Sequence, residues 1–186
     1  MPMNQQQHHM KISTLGLLFA GLAMLSACSQ KDEEALMCIP RAVPSQLVPP
    51  SEPCDSFTSS FALKNPAGTA GTSFARSEAV TLELKITNNA STAKTLQVPD
   101  GCPQVQLEVD SSDPTCRVYS NASDAACTQV VVESSYAPGE TKTFTARWPQ
   151  TGSSGRQVSA GNFTAYALDR TQCGARFYSS QSLTVR

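Results

Sequence analysis

The sequence predicts an all-β domain, two antiparallel sheets packed face to face as a sandwich, over most of its length. Three observations carry that expectation. About eight short segments alternate apolar with polar residues, turn signals separate them, and no window after residue 27 holds a helical period over three turns with caps. Segments of uneven length, joined by hairpins and by longer loops, fit two packed sheets rather than a closed barrel.

Phe57 to Lys64 reads as the first strand, and Asn65-Pro66-Ala67-Gly68 through Gly71 as a turn-rich connection. Val80 to Thr87 is the clearest strand. There Val80, Leu82, Leu84 and Ile86 alternate with Thr81, Glu83, Lys85 and Thr87, giving one apolar face and one polar face. Asn88-Asn89-Ala90-Ser91 turns the chain, because Asn tolerates left-handed dihedrals and bonds to its own backbone. Leu96 and Val98 begin a short strand that Pro99-Asp100-Gly101 stops. Val105, Leu107 and Val109 repeat the alternation, Ser111-Ser112-Asp113-Pro114 turns, and Arg117-Val118-Tyr119 resumes. Thr128 to Glu133 contains Val130-Val131-Val132, β-branched throughout, and reads as a strand. Ala137-Pro138-Gly139-Glu140 is the next turn. After it Phe144, Ala146 and Trp148 alternate with Thr143, Thr145 and Arg147, and Gln150 to Gln157 is a polar loop. Gly161 opens a strand from Asn162 to Leu168, and Phe177 to Val185 supplies the last one or two strands. Trp148, the only tryptophan, stands on an apolar face as a core anchor between the sheets.

The N-terminal part has a different character. Ile12 to Leu25 is apolar and uncharged, follows Lys11 and closes on Leu25-Ser26-Ala27-Cys28, the charged-start, apolar-middle, small-residue-end order of a secretory leader. The polar residues Met1 to His9 carry no fold argument, and Met10 followed by Lys11 is the better start. The tetrapeptide resembles the lipobox of bacterial lipoproteins. That resemblance implies that the leader, residues 1–27, is removed and that Cys28 carries the lipid. Ser29, where an Asp would favour inner-membrane retention, implies the outer membrane, facing the periplasm, as the destination. Residues 28–53, with prolines at 40, 44, 49, 50 and 53, read as a semi-rigid tether, and 54–186 as the sandwich domain.

Removing residues 1–27 takes away Lys11 and no acid, so the remainder has a net charge of −2. The charges are scattered in sign, which argues against a nucleic-acid partner. His8 and His9 are the only histidines and both fall in the leader. No catalytic residue of the usual Ser-His-Asp or Cys-His kind is therefore expected, nor any cofactor or metal. With Cys28 assigned to lipid, an even six cysteines remain: Cys38, Cys54, Cys102, Cys116, Cys127 and Cys173. In an exported chain these are expected to form three disulfides rather than a zinc site, since no Cys-x-x-Cys pair occurs. Six cysteines allow 15 connectivities. Two local pairs are the expectation, Cys38 with Cys54 and Cys116 with Cys127.

The order of the pieces resembles the BsuPI type of intracellular proteinase inhibitor domain. The residues that carry the likeness are Thr87-Asn88-Asn89 at a strand end, Thr128-Gln129, and Tyr136-Ala137-Pro138-Gly139-Glu140 before Phe144 and Trp148. Ala160-Gly161-Asn162-Phe163 before an Ala-rich strand completes it. The match runs from about residue 80 to 185. It implies an immunoglobulin-like fold, with Asn88, Pro138, Gly139, Glu140, Trp148, Gly161 and Phe163 as structural motif residues, and an inhibitory activity.

The expected function is a non-catalytic binding module on a lipid anchor in the bacterial envelope, with a protein or envelope component as partner. The alternative reading is a proteinase inhibitor acting through an exposed loop. Loops on a rigid scaffold are where binding residues usually sit, and Asp110 to Ala126 and Pro149 to Ser159 are the candidates. Arg117 and Arg156 in them suit a trypsin-like pocket. A remote alternative is a carboxylate hydrolase using Asp110 with Asp113, or Glu78 with Glu83.

Overall fold

The structure, a computed structural model, describes residues 38–39, 54–122 and 127–186. The leader, Cys28 and all of the tether except Cys38 and Ile39 lie outside the described residues. After a 3-10 turn at Cys54–Ser56 come β1 (Phe57–Lys64), β2 (Ser73–Phe74), β3 (Val80–Asn88), β4 (Lys94–Val98), β5 (Val105–Ser111) and β6 (Arg117–Ser120). β7 (Val132–Tyr136), β8 (Thr141–Trp148), β9 (Gly161–Asp169), the single helical turn α1 (Gly174–Phe177) and β10 (Ser179–Val185) complete the fold.

The fold is an antiparallel β-sandwich. One sheet has the order β1-β3-β8, the other β2-β10-β9-β5-β6, and β4 pairs with β7 in a separate ribbon. Only β2, beside β10, runs parallel to its neighbour. The period-2 pattern of β3 explains its central place: Val80, Leu82, Leu84 and Ile86 are fully buried, while the residues between them stay partly exposed. They face Leu107, Val109, Ala165 and Leu183 from the opposite sheet. Trp148 is fully buried and meets Phe163 edge-on at 5.3 Å between ring centroids, the inter-sheet anchor that its place on an apolar face predicts.

The ribbon β4–β7 lies at the end of the sandwich where β3 finishes. Its inward residues Leu96, Val98 and Tyr136 are buried, and Tyr136 packs edge-on against Phe57 at 5.3 Å. Asn88 makes the junction. Its buried side chain donates to the carbonyls of Thr92, Tyr136 and Ala137 at 3.0–3.2 Å and accepts from the Ala90 amide at 3.0 Å. The turn that follows β7 uses Gly139 at φ +74°, a conformation with little steric cost only for glycine. Its amide donates to the Asn88 carbonyl at 2.9 Å.

Three expectations are corrected. The strand expected at Thr128 to Glu133 is displaced: β7 starts at Val132, and Val130 and Val131 lie outside it, 60% and 57% exposed. The reason is register. β7 can pair only as far as β4 extends, to Val98 opposite Val132, and burial of Tyr136 fixes its other end. Phe177 belongs to α1 rather than to the last strand. The disulfides join Cys38 to Cys116, Cys54 to Cys173 and Cys102 to Cys127, not the local pairs. Ile39 bridges to Arg117 beside Cys116, and Cys54 at the foot of β1 meets Cys173 just beyond β9, so tertiary approach overrides sequence proximity.

Replacing Asn88 with alanine leaves the buried Tyr136 carbonyl and three half-buried backbone groups without their partner, so Asn88→Ala is expected to lower stability by about 2–3 kcal/mol. Urea unfolding of the two proteins measures it.

Candidate functional site

The two loops nominated from sequence meet at the end of the sandwich where β5 and β8 finish and β9 begins. The first is narrower than its sequence suggested, because β6 occupies its middle. What remains is a tight β5–β6 turn, closed by the Ser111 amide donating to the Cys116 carbonyl and the Cys116 amide donating to the Asp113 carbonyl, both at 2.9 Å. The Thr115 hydroxyl and amide donate to Asp113 Oδ1 at 2.7 and 2.9 Å, and these bonds hold the Asp113 carboxyl below the usual carboxylate range. The Cys38–Cys116 bridge ties the turn to the segment ahead of the sandwich. Residues 123–126 of this expected loop lie outside the described residues.

The second loop is a short hairpin pinned at its base. Trp148 Nε1 donates to the Thr151 carbonyl at 3.0 Å, and Thr151 bridges to Gln157. Gln150, fully buried, has φ +59°, and Ser77 has φ +68°, both unusual for residues other than glycine. The two hold each other. Gln150 Oε1 accepts from the Ser77 amide at 2.9 Å and its Nε2 donates to the Ala75 carbonyl at 3.0 Å. The Val158 amide donates to the Gln150 carbonyl at 2.8 Å, and the Gly152 amide to the Arg156 carbonyl at 2.9 Å. Ser153, Ser154, Gly155 and Arg156 form the exposed apex. Strained backbone of this kind persists where the surroundings over-determine it, and it concentrates at functional sites.

A depression of about 550 Å3 lies over β9, β10 and the β5–β6 turn, and a second of about 310 Å3 lies between that turn and Val158–Ser159 of the other loop; the two share Ser111, Ser112, Asn162 and Phe163. The first is lined about equally by polar and apolar surface, the second mainly by apolar surface that includes Val118, Val158, Ala160 and Phe163. Sequence reasoning located both loops but missed Ser77 and Gln150, whose role depends on dihedrals that no residue pattern announces.

Of the two arginines, only Arg156 is displayed. Arg117 is 8% exposed, and its guanidinium donates to Glu108 Oε1 at 2.6 Å and Asp110 Oδ1 at 3.2 Å. It sits on β6 facing β5, so it braces the turn from below and does not reach a partner's pocket. The carboxylate pairs do not assemble either. Asp110 is buried against Arg117 while Asp113 sits in the exposed turn. Glu83 pairs with Lys64 at 2.8 Å and with Lys85, which keeps its carboxyl low, and Glu78 accepts from the Ala75 amide at 2.8 Å.

The motif residues form two groups at opposite ends of the sandwich. Asn88, Pro138, Gly139 and Glu140 build the β3 junction, where Glu140 Oε2 accepts from the Ala137 amide at 2.7 Å. Trp148, Gly161 and Phe163 build the floor beneath the two loops. At the junction end, Asp100, Cys102 and Cys127 bring ligand atoms within 4.8 Å of one another. The two sulfurs are bonded to each other and Asp100 pairs with Arg170, so these groups are already engaged. Asp169, also at that end, is buried, accepts from the Thr171 hydroxyl and from Gln104 Nε2, and is pushed up to about 6 by burial.

A family model, BsuPI, intracellular proteinase inhibitor, matches residues 69–173, from just before β2 to the cysteine after β9. No curated protein matches the sequence. Among solved structures, a β-glucosidase from Erythrobacter marinus is 15% identical at a TM-score of 0.41, over 70% of this chain and 15% of that one. A β-glucosidase from Listeria innocua is 14% identical at 0.37, over 68% and 16%. An alkylpurine DNA glycosylase from Pseudomonas fluorescens is 11% identical at 0.41, over 70% and 30%. The chain thus spans less than a third of each of these proteins, and at such TM-scores none of them carries an activity over to it.

Truncating Arg117 strands two buried carboxylates, so Arg117→Ala is expected to cost about 3–5 kcal/mol by urea unfolding. Arg156→Ala, at an exposed apex, should stay within about 0.5 kcal/mol. Asp169 sets a pH dependence of known sign. Its folded-state value lies above the ordinary 3.8, so its contribution to stability is complete below that value and is lost as pH rises through about 6. Relative to Asp169→Asn, the wild type should lose about 2–3 kcal/mol between pH 4 and pH 7 in the same assay.

Proposed function

We propose that this chain, which belongs to the BsuPI family of intracellular proteinase inhibitors, is a non-catalytic inhibitor that engages a trypsin-like proteinase through the Arg156 hairpin. The family match over residues 69–173 is the observation that carries the reading. The hairpin supplies the surface. An inhibitor gains affinity when its contact loop is ordered before binding, because less freedom is lost on association. Here the bonds of Gln150 to Ser77 and Ala75, and of Trp148 to Thr151, hold the hairpin's base while Arg156 stays exposed.

We read the site of action as the bacterial envelope, not the cytoplasm for which the family is named. The leader closing on Leu25-Ser26-Ala27-Cys28 supports a lipid at Cys28, and Ser29 supports the outer membrane. Three disulfides suit an oxidising compartment. Inhibition is then the form that binding takes, and the domain needs no catalytic group of its own.

The test is a proteinase panel assayed against the purified, oxidised chain from Cys28 onward. Nanomolar inhibition of a trypsin-like member is expected, with Arg156→Ala weakening it at least about 30-fold, the scale of an interface hot spot. No inhibition of serine, cysteine, aspartic or metalloproteinases would sink the reading.

A further inference from the structure

We propose that the Cys38–Cys116 bridge turns the Arg156 end of the domain toward the membrane, and that an anionic lipid surface is the partner of that end. The inference rests on the reading of Cys28 as the lipid site. Only nine residues, Ser29 to Met37, separate Cys28 from Cys38, and such a segment reaches at most roughly 30–35 Å when fully extended. Cys38 is held to Cys116 in the β5–β6 turn, and the Ile39 amide donates to the Arg117 carbonyl at 2.6 Å. The chain therefore leaves the sandwich beside the cleft and the Arg156 hairpin.

Without that bridge, the next covalent anchor is Cys54, bonded to Cys173 beyond the other end of β9. The free segment would then be 25 residues, Ser29 to Pro53, with a reach of roughly 85 Å. β9 has nine residues, so the two anchors are about 30 Å apart along the sheet. One disulfide thus decides which end lies near the lipid and how far the domain can stray from it.

The charge at the near end fits that placement. Arg76, Arg156 and Arg186 are all exposed there, against exposed Asp113 and half-buried Glu78. They belong to one connected patch: the Arg76 amide donates to the Arg186 carbonyl at 2.7 Å, and neighbouring Ser77 is bonded to Gln150 at the hairpin's base. Basic residues near an anionic bilayer are each weakly attracted to it, so this excess of cations biases orientation without anchoring the domain alone. The exposed Val130-Val131-Val132 stretch lies at the opposite end, away from the bilayer. A proteinase met by Arg156 would then be one that works at the membrane surface.

Trp148 reports the orientation, because it is the only tryptophan and sits at the near end. The acylated chain is placed in vesicles of phosphatidylethanolamine and phosphatidylglycerol carrying a dansyl headgroup, and energy transfer from Trp148 is measured. Transfer is expected to fall at least twofold in Cys38→Ser/Cys116→Ser, and equally when 20 Gly and Ser residues are inserted after Ser29 with the bridge intact. It should fall as well when phosphatidylcholine replaces phosphatidylglycerol, and in Arg76→Glu/Arg186→Glu. Cys102→Ser/Cys127→Ser should leave it unchanged. A chain that does not float with vesicles, or floats equally as Cys28→Ser, overturns the lipid site and this proposal together. Flotation that needs Cys28, with transfer indifferent to the bridge, the insertion and the lipid charge, overturns the orientation alone.

Discussion

The side chain of Asn88 holds together parts of the molecule that share no sheet. It is fully buried, donates to carbonyls on both the β3–β4 turn and the β7–β8 turn, and takes the Ala90 amide in return. The Asn88 amide and the Tyr136 carbonyl are buried where water cannot replace a lost partner, so that bond is an obligation rather than a preference. Its consequence is felt a strand away. Once the β7–β8 turn is fixed against Asn88, β8 begins with Thr141 opposite Thr87 and must end with Trp148 opposite Val80. The indole then meets Phe163 and bonds the Thr151 carbonyl, which sets the base of the Arg156 hairpin. The junction at one end of the sandwich thereby positions the loop at the other.

Legibility in the sequence followed how local each cause was. β1 and β3 were readable because a half-buried strand writes its own period: β1 runs from Phe57 to Lys64 as its residues suggest, and β3 extends the expected span by Asn88 alone. β7 was misplaced because three valines raise β propensity, but they do not supply a partner, and β4 ends at Val98. β2 has only two residues and owes its existence to β10, more than a hundred positions later. Disulfide connectivity was the least readable feature. Cys54 and Cys173 are 119 residues apart and are brought together by tertiary packing alone.

The two arginines show the same limit at the level of the site. Arg117 and Arg156 are equivalent as letters in polar loops, yet one is a buried counter-ion and the other an exposed tip. The difference comes from β6. By pairing with β5, it turns Arg117 onto the same sheet face as Glu108 and Asp110, and a buried carboxylate pair requires a cation there. A loop with strand-forming Val118 and Tyr119 in its middle was therefore never free to present its arginine. The 149–158 loop has no such strand partner, and its order comes instead from Gln150, whose buried amide is bonded to a turn 75 residues earlier.

A sandwich can stay rigid with ordinary side chains, so the placement of its covalent ties is informative about what else must stay fixed. Cys54–Cys173 closes the foot of β1 against the segment after β9, and both sulfurs are buried with the core, where they add to packing. Cys38–Cys116 is different in kind. It joins a half-buried cysteine ahead of the sandwich to the rim of a surface turn, next to the cleft and opposite the Arg156 hairpin. Cys116 packs at the edge of the core, and the bond holds Cys38 beside it. Beyond the stability that closing a 78-residue loop supplies, this tie fixes where Cys38 sits, at the end of the sandwich opposite the Cys54 attachment.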